Sequence, residues 1–120
     1  MIEIIVKDFL KKHLKRDVYL EYPLNRKDGD FILIEKTGGD VNNHLLSAVL
    51  AIQSYGDSMY KAAILNEMVK EAMAFLANDK RISSVKLNSD YNFTDTDMKK
   101  YRYQAVFDIY YYKGERIWQK

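Results

Sequence analysis

Asp57–Ala77 (DSMYKAAILNEMVKEAMAFLA) can be only one kind of element, and it dictates the rest. Tyr60, Ala62, Ile64, Leu65, Met68, Val69, Ala72, Met73, Phe75 and Leu76 recur at the 3.6-residue period of a helix. Asn66, Glu67, Lys70, Glu71 and Asn78 form the polar stripe. Gly56 interrupts the preceding run, and Asp57 or Ser58 can accept from the first free N–H groups. Asn78 and Asp79 end the segment. A helix this apolar has to lie on a second layer, and the flanking segments alternate as strands do.

Residues 2–15 read as another amphipathic helix, with Ile2, Ile5, Val6, Phe9, Leu10, His13 and Leu14 on one face. Lys11, Lys12, Lys15 and Arg16 gather at its end, where cations suit the helix dipole. Asp17–Tyr22 alternates and stops at Pro23, Asn25–Asp30 is a turn with Asp28-Gly29 at its tightest point, and Phe31–Lys36 is a second strand. Thr37–Asn43 reads as a mobile loop and His44–Tyr55 as a long third strand with Leu46, Ala48, Leu50 and Ile52 facing inward. Beyond the long helix come a strand at Ile82–Leu87, a polar loop at Asn88–Lys99 and a last strand at Lys100–Tyr112. The face of that last strand bearing Tyr101, Tyr103, Ala105, Phe107, Ile109 and Tyr111 reads as core. Residues 113–120 form a loose tail apart from Ile117 and Trp118. The order α-β-β-β-α-β-β predicts one α+β domain over 1–120. It has two layers: a mainly antiparallel five-stranded sheet, with strands 1–3 joined by short turns, and two helices on one face.

Composition narrows the function classes. At 120 residues, folding buries roughly 60–70% of the unfolded surface, enough for a real core. Hydrophobic residues at 48% with a single proline exclude a disordered chain. No cysteine is present, which removes disulfides and thiolate metal sites. No apolar run reaches about 18 residues, so no membrane span is expected. The N-terminus lacks a basic segment followed by an unbroken apolar stretch; no signal peptide is read, and a soluble intracellular protein is the expectation. A net charge of +2 gives no argument for a nucleic-acid partner.

Motifs for chemistry fail one by one. His13 and His44 have no metal-ligand spacing. Asp90–Thr94 begins like a calcium loop, but Asp95 stands where glycine is needed and Tyr101 where a bidentate glutamate is needed. Asp28, Asp30, Glu35 and Lys36 suggest a metal-dependent nuclease, yet adjacent Glu35 and Lys36 point to opposite faces of a strand. Gly38-Gly39 lacks a following helix, and Ser54 and Ser58 lack a nucleophile's setting. Lys99-Lys100-Tyr101-Arg102-Tyr103 interleaves cations and rings and could stack single-stranded nucleic acid. Tyr101 and Tyr103, however, share the core face. The expectation is a protein without catalytic residues, metal or cofactor.

IEKTGG (Ile34–Gly39), AIQSYGDS (Ala51–Ser58), SSVKLNSDYNFTD (Ser83–Asp95) and YRYQAVFDI (Tyr101–Ile109) resemble small proteins of phages and prophages with long non-contractile tails. The likeness runs from the first helix to about Tyr112, and the chain is similar to the tail terminator or tail completion class. That resemblance implies a virion assembly protein that caps the tail tube as a ring, hexameric in the class, and joins it to the head. Its partners would be copies of itself, the tail tube and head–tail connector proteins. Its location would be the host cytoplasm and then the virion. A ring needs two different patches per subunit. With ten tyrosines in the chain and helices on only one side of the sheet, one patch is expected on the bare face, at Phe31, Leu33, Val49, Ala51, Tyr55, Val106, Tyr110 and Tyr112. The other is expected on a loop, either the one with Gly38, Gly39 and Asp40 or the one with Asn92 and Asp95. The alternatives are a single-stranded nucleic-acid binder and, more remotely, the nuclease.

Overall fold

The computed structural model describes residues 1–25, 29–42 and 45–114. Its elements are α1 (Ile2–Leu14), β1 (Asp17–Tyr19), β2 (Phe31–Asn42), β3 (Leu45–Gly56), α2 (Met59–Leu76), β4 (Ile82–Asn92) and β5 (Tyr101–Tyr112). The expectations for Asp28, His44, Ile117 and Trp118 fall outside the described residues.

The long helix forms for the reasons the sequence supplies. Ser58 is extended and its Oγ accepts from the Lys61 N–H at 3.1 Å, so Ser58 is the cap. At the other end Asn78 and Asp79 donate their N–H groups back to Phe75 and Leu76, closing the last turn. The buried stripe is narrower than the apolar pattern suggested. Ala62, Leu65, Val69, Ala72, Met73 and Leu76 are buried, whereas Tyr60, Ile64 and Phe75 are exposed. Asn66, expected on the polar side, is buried, its Nδ2 donating to Asp90 on β4 at 2.6 Å. Helix α1 buries Ile2, Val6 and Leu10 and ends on Lys15 in the left-handed region at φ 55°.

The five strands lie in the order β1-β2-β3-β5-β4. Strand β5 returns from β4 as a hairpin and slots between β4 and β3, antiparallel to both. Both helices cover the same face. Val18, Ile32, Ile34, Ala48, Leu50, Ile52, Ala105, Phe107 and Ile109 meet them there in one core.

Four expectations need correction. Strand β1 stops at Tyr19 and pairs parallel with β2, Asp17 level with Phe31 and Tyr19 with Leu33. The connection must therefore carry the chain back along the strand, which a short turn cannot do. Thr37–Asn42 is strand, not loop: β2 continues past a bulge between Lys36 and Gly38 and stays paired to β3 as far as Asn42. Likewise Asn88–Asn92 belongs to β4, which carries irregularities at 82/84 and 87/89. Each bulge shifts the alternation by one residue. A strict period-two pattern therefore breaks there and imitates a loop.

Candidate assembly surface

The register separates the two faces. Away from the helices lie Phe31, Leu33 and Glu35 on β2, the alternate residues Ser47–Tyr55 on β3, and Arg102, Gln104, Val106, Asp108, Tyr110 and Tyr112 on β5. This face divides into two halves of different character.

At the β1 end the face covers itself. Phe31 and Tyr55 stack at 4.5 Å and 6°. Tyr22 stands edge-on to both, and Tyr19 edge-on to Phe31. Phe31, Leu33 and Tyr55 are thereby buried as a second small core. These three residues are not exposed as an assembly patch; the sequence could not show that Tyr22, just ahead of Pro23, would swing over them. Beneath the rings runs a chain of hydrogen bonds. Arg102 Nη1 donates to Tyr55 Oη at 2.9 Å, Tyr55 Oη to Gln53 Oε1 at 2.8 Å, and Gln53 Nε2 to Gln104 Oε1 at 2.9 Å. Gln104 Nε2 then donates to Tyr91 Oη on β4. Gln53 and Gln104 are both buried, so each amide needs these partners.

The cations here face rings of the same chain. The Arg102 guanidinium lies 4.4 Å from the Phe93 ring centroid and its Nε donates to the Phe93 carbonyl. Lys100 Nζ sits 4.3 Å from the Tyr22 ring centroid. Tyr101 and Tyr103 lie on the helix-covered side and are half-buried. The stacking platform suggested by KKYRY is therefore divided between two faces, and Lys100 and Arg102 are engaged internally.

At the hairpin end the face is open. Val49 and Val106 are half-buried, and Tyr110 and Tyr112 are 45% and 52% exposed. Gly38 lies opposite Val49, Gly39 opposite Ala48, and Asp40 opposite Ser47. A β-carbon on Gly39 would come 2.8 Å from the Ser47 carbonyl oxygen and 3.1 Å from Lys36 Cε, so the lysine stem occupies the space that glycine leaves. On the opposite, helix-side face of this tip an open groove of about 550 Å³ lies between Lys36, Val41, Leu46 and Tyr111. Burial pushes the Tyr111 hydroxyl above its ordinary pKa, with Glu3 adding to the effect.

Asn92 and Asp95 are held within a tight connection rather than an open loop. Asn92 Oδ1 accepts from the Thr94 N–H, Asp95 Oδ1 accepts from Asp97 and Met98, and Asp95 and Lys100 exchange backbone hydrogen bonds. Asp90, first of the calcium-like series, is taken by Asn66 and by Lys70 at 2.5 Å. That contact with Asp90 raises the Lys70 pKa, with Glu67 assisting. Glu35 and Lys36 sit on opposite faces, as strand alternation requires. His13 lies between the rings of Phe9 and Phe75, bridging α1 and α2. Ser58 caps α2 and Ser54 is fully buried. Among the described residues no group of three or more His, Asp or Glu could hold a metal ion, and no helix is long and apolar enough to cross a membrane.

No protein-family model matches the chain, and no curated protein matches it.

Proposed function

We propose that this chain is a structural assembly protein of a phage or prophage virion, acting as a tail terminator that caps the tail tube and joins it to the head. The observation carrying the reading is the open half of the helix-free face. Tyr110 and Tyr112 stand half exposed there, on the same face as half-buried Val49 and Val106 with Asp108 between them. Exposed rigid rings with polar tips suit a protein partner. The resemblance of Ile34–Gly39, Ala51–Ser58, Ser83–Asp95 and Tyr101–Ile109 to tail proteins supplies the kind of partner. The helices cover the other face of the sheet, so the strands themselves are reachable only from the open face, the hairpin tip and the sheet edges.

The nucleic-acid alternative has less support, because a base needs a free ring face. Phe31 and Tyr55 stack on each other, and Tyr22 and Phe93 carry their own cations. Light scattering at rising protein concentration, with and without polymerised tail tube, tests the proposal. Binding to tube ends and arrest of their growth is expected. A protein that stays monomeric in both conditions and leaves the tube growing removes the tail-terminator reading.

A further inference from the structure

The sheet has two bare edges, and they lie at the same height. Strand β1 covers the outer edge of β2 only from Phe31 to Leu33. From Ile34 to Asn42 no strand among the described residues pairs with that edge, and none pairs with the outer edge of β4. Across the register, Glu35 is level with Ala51, Val106 and Ser89; Gly38 with Val49, Asp108 and Lys86; Asp40 with Ser47, Tyr110 and Ser84. The free part of β2 thus stands level with β4. Unpaired N–H and C=O groups along such edges are a template for another strand.

We propose that these edges meet between copies of this chain, β4 of one copy pairing with the Ile34–Asn42 edge of β2 in the next. The proposal rests on the ring reading above and names its subunit contact. Three observations favour a second copy as the occupant. First, direction: β2 and β5 run one way, β3 and β4 the other. A rotation about an axis along the strands keeps those directions, so β4 arrives antiparallel to β2, matching the pairing inside the sheet. Second, charge: at equal height Lys86 of one copy falls opposite Gly38 of the other, between Glu35 and Asp40 on the same face. All three charged groups are exposed. Gly38 offers no side chain there to oppose the lysine, and opposite charges on neighbouring strands attract. Third, the bulges. The run Ser84–Leu87 lies between the irregularities of β4, and Gly38–Asn42 follows the bulge of β2. Two short regular runs flanked by bulges restrict the register and discourage indiscriminate edge pairing. Because the two edges differ, the contact is heterologous, the kind that closes a ring when its rotation allows.

The chain has no cysteine, which makes the contact accessible to disulfide trapping. Asp40→Cys with Ser84→Cys places two thiols level with each other. Within one copy β3 and β5 intervene, so they stand about 14 Å apart, three strand spacings. A disulfide tolerates Cα separations only up to about 7 Å, so any bond must join two chains. Mild oxidation at rising concentration should give a ladder of covalent oligomers on a non-reducing gel. Asp40→Cys with Ser89→Cys, out of level by roughly 13 Å along the strand, should give little. In the unsubstituted protein, amides of Gly38–Val41 and Ser84–Leu87 should exchange more slowly as concentration rises. Failure of both the crosslink and the protection in protein that still caps the tube overturns edge pairing and leaves the tail reading standing. Crosslink and protection in protein that never caps the tube keep the edge contact and remove the tail reading. Loss of crosslink, protection and capping together removes both.

Discussion

Leu65 shows what a single side chain decides. It is 1% exposed on α2, inside the core that Leu50, Ile52 and Phe107 complete from the sheet. Cutting it to alanine removes buried methyl groups and leaves a void that tight packing cannot refill, which costs about 2–5 kcal/mol. A denaturant melt should show the loss in Leu65→Ala; a variant as stable as the parent would place Leu65 outside the core. Asp79 makes a second case, through charge. Its carboxylate accepts from Arg81 Nε at 3.0 Å, Nη2 at 2.7 Å and the backbone N–H at 2.9 Å. The Arg81 side chain is the main reason its pKa falls from 3.8 to about 2. A depressed carboxylate stabilises the fold fully above its unfolded value and loses that contribution as pH falls through the folded one. Stability attributable to this pair is therefore expected to be intact at pH 5 and to fade between about pH 4 and pH 2. The melting difference between the parent and Asp79→Asn, followed over that range, should shrink as the pH drops. Because Arg81 is 60% exposed, the effect should be small and salt-sensitive.

At the scale of elements, β3 and α2 approach each other closely at their join. A β-carbon on Gly56 would lie 2.6 Å from the Ala62 nitrogen and 2.9 Å from the Lys61 carbonyl carbon. Both are backbone atoms of the helix, so neither can swing aside. Gly56→Ala should cost about 1–3 kcal/mol by forcing the first turn off the strand. Ser58→Ala, which removes only the cap, should cost about 1 kcal/mol. Thermal melts of the two variants should rank them in that order; equal losses would mean that the approach is looser than these distances.

The same elements explain what the sequence made legible. The period of α2, the cap at Ser58 and the inward series Ala48, Leu50, Ile52 on β3 depend on local residue order, and all were readable. Hidden were features where distant residues settle the matter. The parallel pairing of β1 depends on where the chain goes after Tyr19. Strand Thr37–Asn42 carries two glycines and a bulge, so its strand character comes from β3 beside it. Asn66 is buried because Asp90, on another element, waits for its amide. Of the residues expected at the assembly surface, Val49, Val106, Tyr110 and Tyr112 share the open face. Phe31, Leu33 and Tyr55 share that face but are sealed by Tyr22 and Tyr19. Gln53 and Gln104, adjacent only through register, gave no signal in either strand alone.

For the whole molecule, the proposed function assigns stability to the sealed half of the helix-free face and assembly to the open half. Phe31 belongs to a sealed cluster, stacked on Tyr55 and 6% exposed. Tyr110 and Tyr112 are 45% and 52% exposed and support little of the fold. Exposed positions of that kind usually change stability by no more than about 0.5 kcal/mol when replaced. Buried at an interface, a tyrosine can be worth about 2 kcal/mol, more than a tenfold change in affinity. Tyr110→Ser combined with Tyr112→Ser should therefore melt with the parent while its affinity for tail-tube ends falls at least tenfold. Phe31→Ala should do the opposite. It should lose about 3–5 kcal/mol of stability, yet cap tubes normally at a temperature where it remains folded. Melting curves and tube-growth assays on the same preparations give both readings. A tyrosine pair that can be removed without weakening capping would shift the tube contact from the open face to the hairpin tip.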